Sequence, residues 1–512
     1  MKQVLFILCT LLFSILAGCS DIDNHSLNPN HRLSFSVDTL SFDTVFTTIG
    51  SATKQFLVYN PNNEALKIES IMLASGGKSG FRFNVDGRKG DSFQGIEIWK
   101  KDSLYVSVEI TVNPNGMHQP VVIEDSILFL TNGIRQYVLL QAYGQDIHIM
   151  KGGVVITHDT TFTADLPYLI YDSLVIAGGV TANIAQGAIF YMYHNASVII
   201  SGTVKAKGTH EKPIVFRGNR LDYIPTHEIQ IPYDVIPGQW GGIFFNDSSF
   251  DNEFDHVIVR NGMTGLTFRE SVPDRLKISI NNSQITNMDS TLFAANNCYI
   301  ESANSEFSNS SGSTVTLMGG KYQFTHCTLA NYKGIGKGRS VGNPCLMLLS
   351  VQNQINIEMS YSLRQAYFDN CIIDGNWPAD STKQYGGEIR FASYTLNSDE
   401  TMVWPDEQGE AGNDETFNYR FTSCLIKTAR VNSDRFLQCL FVTSPTFWKI
   451  GTREEEFVYD FRLANESVGI GAANRTISEN YPADRYGVNR LTSSVGPSIG
   501  AYEFIESEEG EK

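Results

Sequence analysis

From Leu33 to about Asp146 apolar and polar residues alternate in short runs, each closed by turn formers. Gln55-Phe56-Leu57-Val58-Tyr59 stops at Asn60-Pro61-Asn62-Asn63, and Ser126-Ile127-Leu128-Phe129-Leu130 stops at Thr131-Asn132-Gly133. Ser103 to Val108 and Tyr137 to Leu140 repeat the pattern. A period of two with no helical stretch over roughly 115 residues predicts a β-sandwich.

Beyond Gly152 the hairpin pattern gives way to a repeat. Leu174-Val175-Ile176-Ala177-Gly178-Gly179-Val180 returns as Ser197-Val198-Ile199-Ile200-Ser201-Gly202-Thr203, with Gly179 and Gly202 23 residues apart. A second phrase, Phe-x-polar-small-x-apolar, occupies 254–259, 280–285, 324–329, 368–373 and 421–426, with a degenerate copy at 302–307. In chain order the copies are 26, 22, 22, 44 and 53 residues apart. A period of about 22 residues, rich in Val, Ile, Phe, Asn and Gly, is one turn of a parallel β-helix, and the longer steps hold insertions. Within each copy positions one, four and six are apolar or small. Positions one and four have opposite parity and cannot face one side of a straight strand, so the chain must bend at position three. His256, Asn282, Asn304, His326, Asn370 and Ser423 occupy that position. Asn tolerates the left-handed backbone of such a corner, and its amide can bond from coil to coil.

Composition narrows the function. The chain has 512 residues, 42% hydrophobic and 18% charged, which describes a globular protein with room for two or three domains. A net charge of −16 without a basic stripe argues against nucleic-acid binding. Gly334-Ile335-Gly336-Lys337-Gly338-Arg339 misses both phosphate-loop spacings, so no nucleotide site is expected. His210-Glu211 and His227-Glu228 lack the second His of a zinc protease, and no Asp-Asp pair exists for general-acid hydrolysis. The acidic run from Asp399 to Glu415 reads as a solvated loop rather than a calcium site. Of eight cysteines, Cys9 and Cys19 lie in the N-terminal segment; Cys298, Cys327, Cys345, Cys371, Cys424 and Cys439 show no zinc spacing and read as buried free thiols, with disulfide pairing the alternative. Cys327, Cys371 and Cys424 share position four and are expected to stack.

At the N-terminus Lys2 precedes an apolar run from Val4 to Leu16, too short for a stable membrane span, which ends in Leu16-Ala17-Gly18-Cys19. This resembles the lipobox of bacterial lipoproteins, and implies that residues 1–18 are a signal peptide and that Cys19 carries the lipid. Ser20-Asp21-Ile22-Asp23 is similar to the export signal of Bacteroidetes surface lipoproteins. The resemblance implies an outer-membrane protein, lipid-anchored and exposed at the cell surface, with residues 19–32 as a tether.

Leu40-Ser41-Phe42-Asp43, Val58-Tyr59-Asn60, Asp102-Ser103-Leu104 and Ala142-Tyr143-Gly144 resemble the hydin and abnormal-spindle type of immunoglobulin-like domain, which would span 33–148. The bend positions resemble the polar ladder stacked inside one corner of right-handed, pectate-lyase-type β-helices. On that reading His256 and His326 belong to the ladder and are neither metal ligands nor catalytic bases. Ser201 to Gly208, Gly238-Gln239-Trp240-Gly241-Gly242-Ile243, Asp484-Arg485-Tyr486-Gly487 and Ile499 to Phe504 are similar to the opening and closing coils of Bacteroidetes surface β-helix proteins. The resemblance extends the β-helix over 150–505, leaving 506–512 as an acidic tail.

If the bent phrase supplies the second and third strands of each coil, Trp240 to Phe245, Cys345 to Leu349 and Glu388 to Phe391 supply first strands. Segments 217–239, 331–344 and 375–387 then precede those strands, and 395–417 follows one, so all four border a single face. In carbohydrate-active β-helices that face is the substrate groove. Tyr223, Tyr233, Trp377, Tyr385 and Trp404 in these loops are aromatic surfaces suited to stacking on sugar rings. The expected function is non-catalytic binding of a glycan or a surface protein. The alternative is a polysaccharide lyase, in which a base removes the proton α to a uronate carboxylate while Ca²⁺ or Arg stabilises the charge. For that reaction Glu388 and Arg390 would stand in the groove with Lys383 nearby.

Overall fold

The computed structural model describes residues 25–225, 230–333, 339, 343–353, 360–379, 387–396, 402–403, 416–429, 434–441, 447–451 and 458–506. The lipobox and Cys19, the His227-Glu228 pair, Lys383, Tyr385, the acidic loop and Trp404 lie outside them. The chain divides into two compact units, Met1–Asp146 and Ile147–Lys512. Residues 147 and 148, read from the sequence as the end of the sandwich, belong to the second unit.

The first unit is an all-β, immunoglobulin-like sandwich of two five-stranded sheets. Its longest hairpin joins Val121–Thr131 to Ile134–Gln145 through Asn132 and Gly133, whose φ values of 53° and 72° match the primed turn that favours the Asn-Gly pair. Alternation places Ile127, Phe129, Val138 and Leu140 in the core with Phe56, Val58, Val106 and Val108 from the facing sheet.

The second unit is a parallel β-helix with three long sheets. The parallel strands of the first sheet run from Val154–Ile156 to Ile389–Leu396, beyond which Met402–Val403 adds an antiparallel edge; the second sheet runs from Thr160–Phe162 to Phe436–Leu437, and the third from His148–Met150 to Leu440–Phe441. Each copy of the bent phrase crosses from second to third sheet, as the strand pair Asn252–Asp255 and Val257–Arg260 illustrates. His256, Asn282, Asn304, His326, Asn370 and Ser423 all have φ between 49° and 53°. Gln438, with φ 54°, is a further bend in a copy at 436–441 that the sequence reading missed because its spacing is short.

Position one builds a ring stack: Phe324, Phe368, Phe421 and Phe436 lie nearly parallel on successive coils, with centroids 5.1, 5.0 and 4.9 Å apart. Each buried Phe contributes roughly 1.5–3 kcal/mol, so the stack is a main source of stability. Position four builds an internal polar ladder. The Val257 N–H donates to Ser283 Oγ at 3.0 Å, Ser283 N–H to Ser305 Oγ at 3.1 Å, Cys327 N–H to Cys371 Sγ at 3.4 Å and Cys371 N–H to Cys424 Sγ at 3.4 Å. A small side chain with an acceptor is needed here because the bend frees an N–H that no strand neighbour reaches. The six downstream cysteines are free thiols.

The bend side chains do bond from coil to coil, Asn304 to Asn282 at 3.3 Å and Asn370 to His326 at 3.0 Å, but one point is corrected: Asn304, His326 and Asn370 also bond to the C-terminal segment laid over the corner. Asn304 donates to the Ala483 carbonyl at 3.0 Å, His326 Nε2 lies 2.9 Å from Ser478 Oγ, and Asn370 exchanges bonds of 2.7 and 3.1 Å with the backbone of Asn474. The same segment covers the outer side of the third sheet, where Phe447, Phe461, Leu463, Ile499 and Tyr502 pack on Ala330, Ile372 and Leu425.

Candidate functional site

The expected groove face is the outer side of the first sheet. Inward residues such as Ile243, Phe245, Leu346 and Leu348 are fully buried, which fixes the intervening residues as outward. In register from coil to coil the outward column reads Ile199, Phe244, Thr267, Ala294, Thr316, Met347 and Arg390. Every member is half-buried, and none before Arg390 is charged. Ile389 and Phe391 pack against the core, which leaves Arg390 on the outer face as expected from parity.

Glu388 does not share that face. It is fully buried. Arg339 grips both its oxygens, through NH1 at 2.8 Å and through NH2, and the backbone N–H groups of Cys345 and Trp377 add bonds at 3.1 and 3.0 Å. Burial works against the Arg339 charge, but hydrogen bonding to Glu388 more than offsets it and holds the guanidinium pKa above its ordinary value. The expectation of a groove carboxylate is therefore overturned: Glu388 precedes the strand, at the corner where third-sheet strand Ile372–Gly375 has just ended, and there parity no longer sets its direction.

That corner continues inward as a polar cluster. Tyr332 donates its hydroxyl to Asp374, Lys427 Nζ donates to the Gly375 carbonyl at 2.5 Å, and Lys427 Nζ sits 3.9 Å from Asp374 Oδ1. Burial raises the Asp374 carboxyl to about 7 despite these contacts. Arg339, missed in the sequence as part of a glycine-rich loop, carries this architecture. Its only signal was a charge among glycines.

The loop aromatics disperse. The Trp377 ring lies under the Arg339 guanidinium, 4.5 Å from the ring centroid, and is half-buried. Tyr223 stands 43% exposed on the hairpin Tyr223–Pro225 with Gln230–Pro232. Tyr233 packs its own loop: Arg220 covers its ring at 4.0 Å, and its carbonyl accepts from Gln239 at 2.8 Å. Of the five aromatics, Trp377 is tied by its backbone N–H to Glu388, the residue before strand Ile389–Leu396.

The two bend histidines differ. His326 is fully buried, and burial together with the nearby Arg490 charge pushes its pKa well below the ordinary value, so it is neutral at pH 7. His256 borders a cleft of about 470 Å³ with His210, Glu211 and Tyr486. Its Nδ1 lies 2.8 Å from Asp255 Oδ1, which also accepts from Asn282 of the next coil at 2.8 Å. Burial disfavours the Asp255 charge, yet these bonds outweigh it and hold the carboxyl below its ordinary range. The hydroxyls lining this cleft are those of Tyr481 and Tyr486, and Thr209 lines an adjoining pocket that His256 also borders.

No family model matches the chain, and no curated protein matches it. Among solved structures it is similar to a family 123 glycoside hydrolase from Clostridium perfringens, at 8% identity and TM-score 0.16, over 22% of this chain and 25% of that one. It is also similar to the periplasmic chaperone SfaE, at 14% identity and TM-score 0.15, over 22% of this chain and 57% of that one. A PapD-like domain of human CEP192 matches at 8% identity and TM-score 0.16, over 26% of this chain and 94% of that domain. The chain thus spans a quarter of the glycoside hydrolase, and these scores carry no argument about function.

Proposed function

We propose that this chain is a lipid-anchored surface protein of the Bacteroidetes type whose β-helix binds a glycan without cleaving it. The observation that supports this reading is the outward column of the first sheet: six successive uncharged positions, from Ile199 to Met347, followed by Arg390. An apolar and hydroxyl-bearing strip flanked by loops suits an extended saccharide chain, whereas β-elimination needs a positioned base beside the sugar ring. With Glu388 held by Arg339, no carboxylate stands in this column among the described residues. A surface protein in place of the glycan is an outcome of the same binding experiment.

The test is binding of the purified protein to neutral and acidic polysaccharides, with absorbance of unsaturated uronate followed with and without calcium. Arg390→Ala or Trp377→Ala should weaken the best ligand by about 1–3 kcal/mol, the range for losing one anchor, and no product should accumulate. Calcium-dependent product that Arg390→Ala or Lys383→Ala abolishes, with binding retained, would instead establish the lyase. For the anchor, Cys19→Ala should move the protein out of the membrane fraction with its fold intact; a variant that still sediments with membranes defeats the lipoprotein reading.

A further inference from the structure

A pit on the outer face of the third sheet is separate from the first-sheet strip. Three successive coils form its floor, with Arg260, Thr286 and Ser308 in register. The next residue on each coil is an asparagine, Asn261, Asn287 or Asn309, with φ of 70°, 59° and 59°. Asp234 and Val235 supply one wall: Asn261 Nδ2 donates to the Asp234 carbonyl at 2.5 Å and Asn287 Nδ2 to the Val235 carbonyl at 2.9 Å. Lys333 and Tyr459 line other sides. The cavity is about 190 Å³, below the roughly 300–1,000 Å³ of pockets for drug-sized ligands, which restricts it to a small molecule or one ring of a larger one.

The lining is polar and deeply buried, unlike a chance surface dent. Asn261, Glu306, Asn309 and Lys333 are each under 5% exposed, and Ser308 is fully buried. Its charged groups each already have polar partners within the protein. Arg217 and Arg260 face the same Asp234 at 2.7 and 3.1 Å, Lys333 lies 3.6 Å from Asp289, and Glu306 accepts from Gln284 at 3.0 Å, from Ser308 at 2.6 Å and from Tyr502. A charged ligand would have to compete with these contacts in a site of low dielectric. What remains is a set of amides and hydroxyls, which offer donors and acceptors together, as sugar hydroxyls do. Four buried polar atoms at this corner, Arg217 Nε, Gln239 Oε1, Arg260 Nε and Asn261 Oδ1, have no hydrogen-bond partner among the described residues.

We infer that the pit binds one uncharged, hydroxyl-rich ring, a neutral sugar residue, on a different face from the extended-chain strip. The inference rests on the glycan-binding reading for its ligand class alone. The protein is titrated by calorimetry with glucose, galactose, mannose and their methyl glycosides, and in parallel with glucuronate and inorganic phosphate. One neutral sugar should bind with a stoichiometry of one. Thr286→Phe, which fills the pit, and Asn287→Gly, which removes an amide while keeping a residue that tolerates the left-handed backbone, should each weaken it by about tenfold or more. Thermal unfolding shows which variant is folded, and Asn287→Gly decides if Thr286→Phe is not. Preference for glucuronate or phosphate, or wild-type affinity in the folded variants, overturns the inference. A polysaccharide that binds wild type and variants equally, with no monosaccharide competing, overturns the pit and leaves the strip; binding of neither kind overturns both.

Discussion

Glu388→Ala should destabilise the β-helix by about 3–5 kcal/mol, because it leaves the Arg339 guanidinium buried without its counter-charge. The loss extends beyond the ion pair: the Cys345 and Trp377 N–H groups also lose their acceptor. Denaturant unfolding of the purified variant measures the effect. Replacing both partners by methionine should recover a large part of it, since an apolar pair of similar volume removes the desolvation cost together with the attraction. A Glu388→Ala protein with wild-type stability but altered action on a polysaccharide would make the carboxylate a chemical participant rather than a strut. The distinction matters because Glu388 was the one groove carboxylate that a lyase mechanism could have used.

Asn370→Leu should cost about 2–5 kcal/mol through two separable effects. Leucine at φ 53° carries a left-handed backbone penalty of roughly 1–2 kcal/mol. The rest, about 1–3 kcal/mol, comes from stranding the Asn474 backbone groups and the His326 ring that the Asn370 amide now meets at 2.7 to 3.1 Å. Asn370→Gly removes the amide and keeps a residue suited to the bend, so thermal unfolding of the two variants divides the cost. If the leucine variant is no less stable than the glycine variant, the left-handed corner is not what selects the residue at position three. Both variants should also loosen the C-terminal segment, which amide exchange at Asn474 and Ser478 would detect.

Much of the fold was legible in the chain because its determinants are local. Strand parity, the bend at position three and the small residue at position four are set by sterics among consecutive residues. The repeat then stacks them whatever the insertions between copies. Coil-to-coil bonding at position three was expected and is present at Asn282–Asn304 and His326–Asn370, while the second ladder, of Ser and Cys at position four, was not foreseen as a hydrogen-bonded one. The copy at 436–441 escaped notice because its bend follows Ser423 by only 15 residues, short of the coil length of about 22 that the other copies suggested.

The sequence alone determined the two all-β units, the direction of each coil and the outward aspect of Arg390, since parity says which side of a strand a residue faces. Only the tertiary structure decided what covers that side. His326 and Asn370 meet a segment more than 100 residues away, Glu388 is claimed by Arg339 49 residues before it, and the pit joins residues from Asp234 to Tyr459. Such contacts depend on where connecting loops and the C-terminal segment come to rest. That is settled by burial and hydrogen-bond satisfaction across the whole solenoid, and a local pattern of residue types holds no record of it.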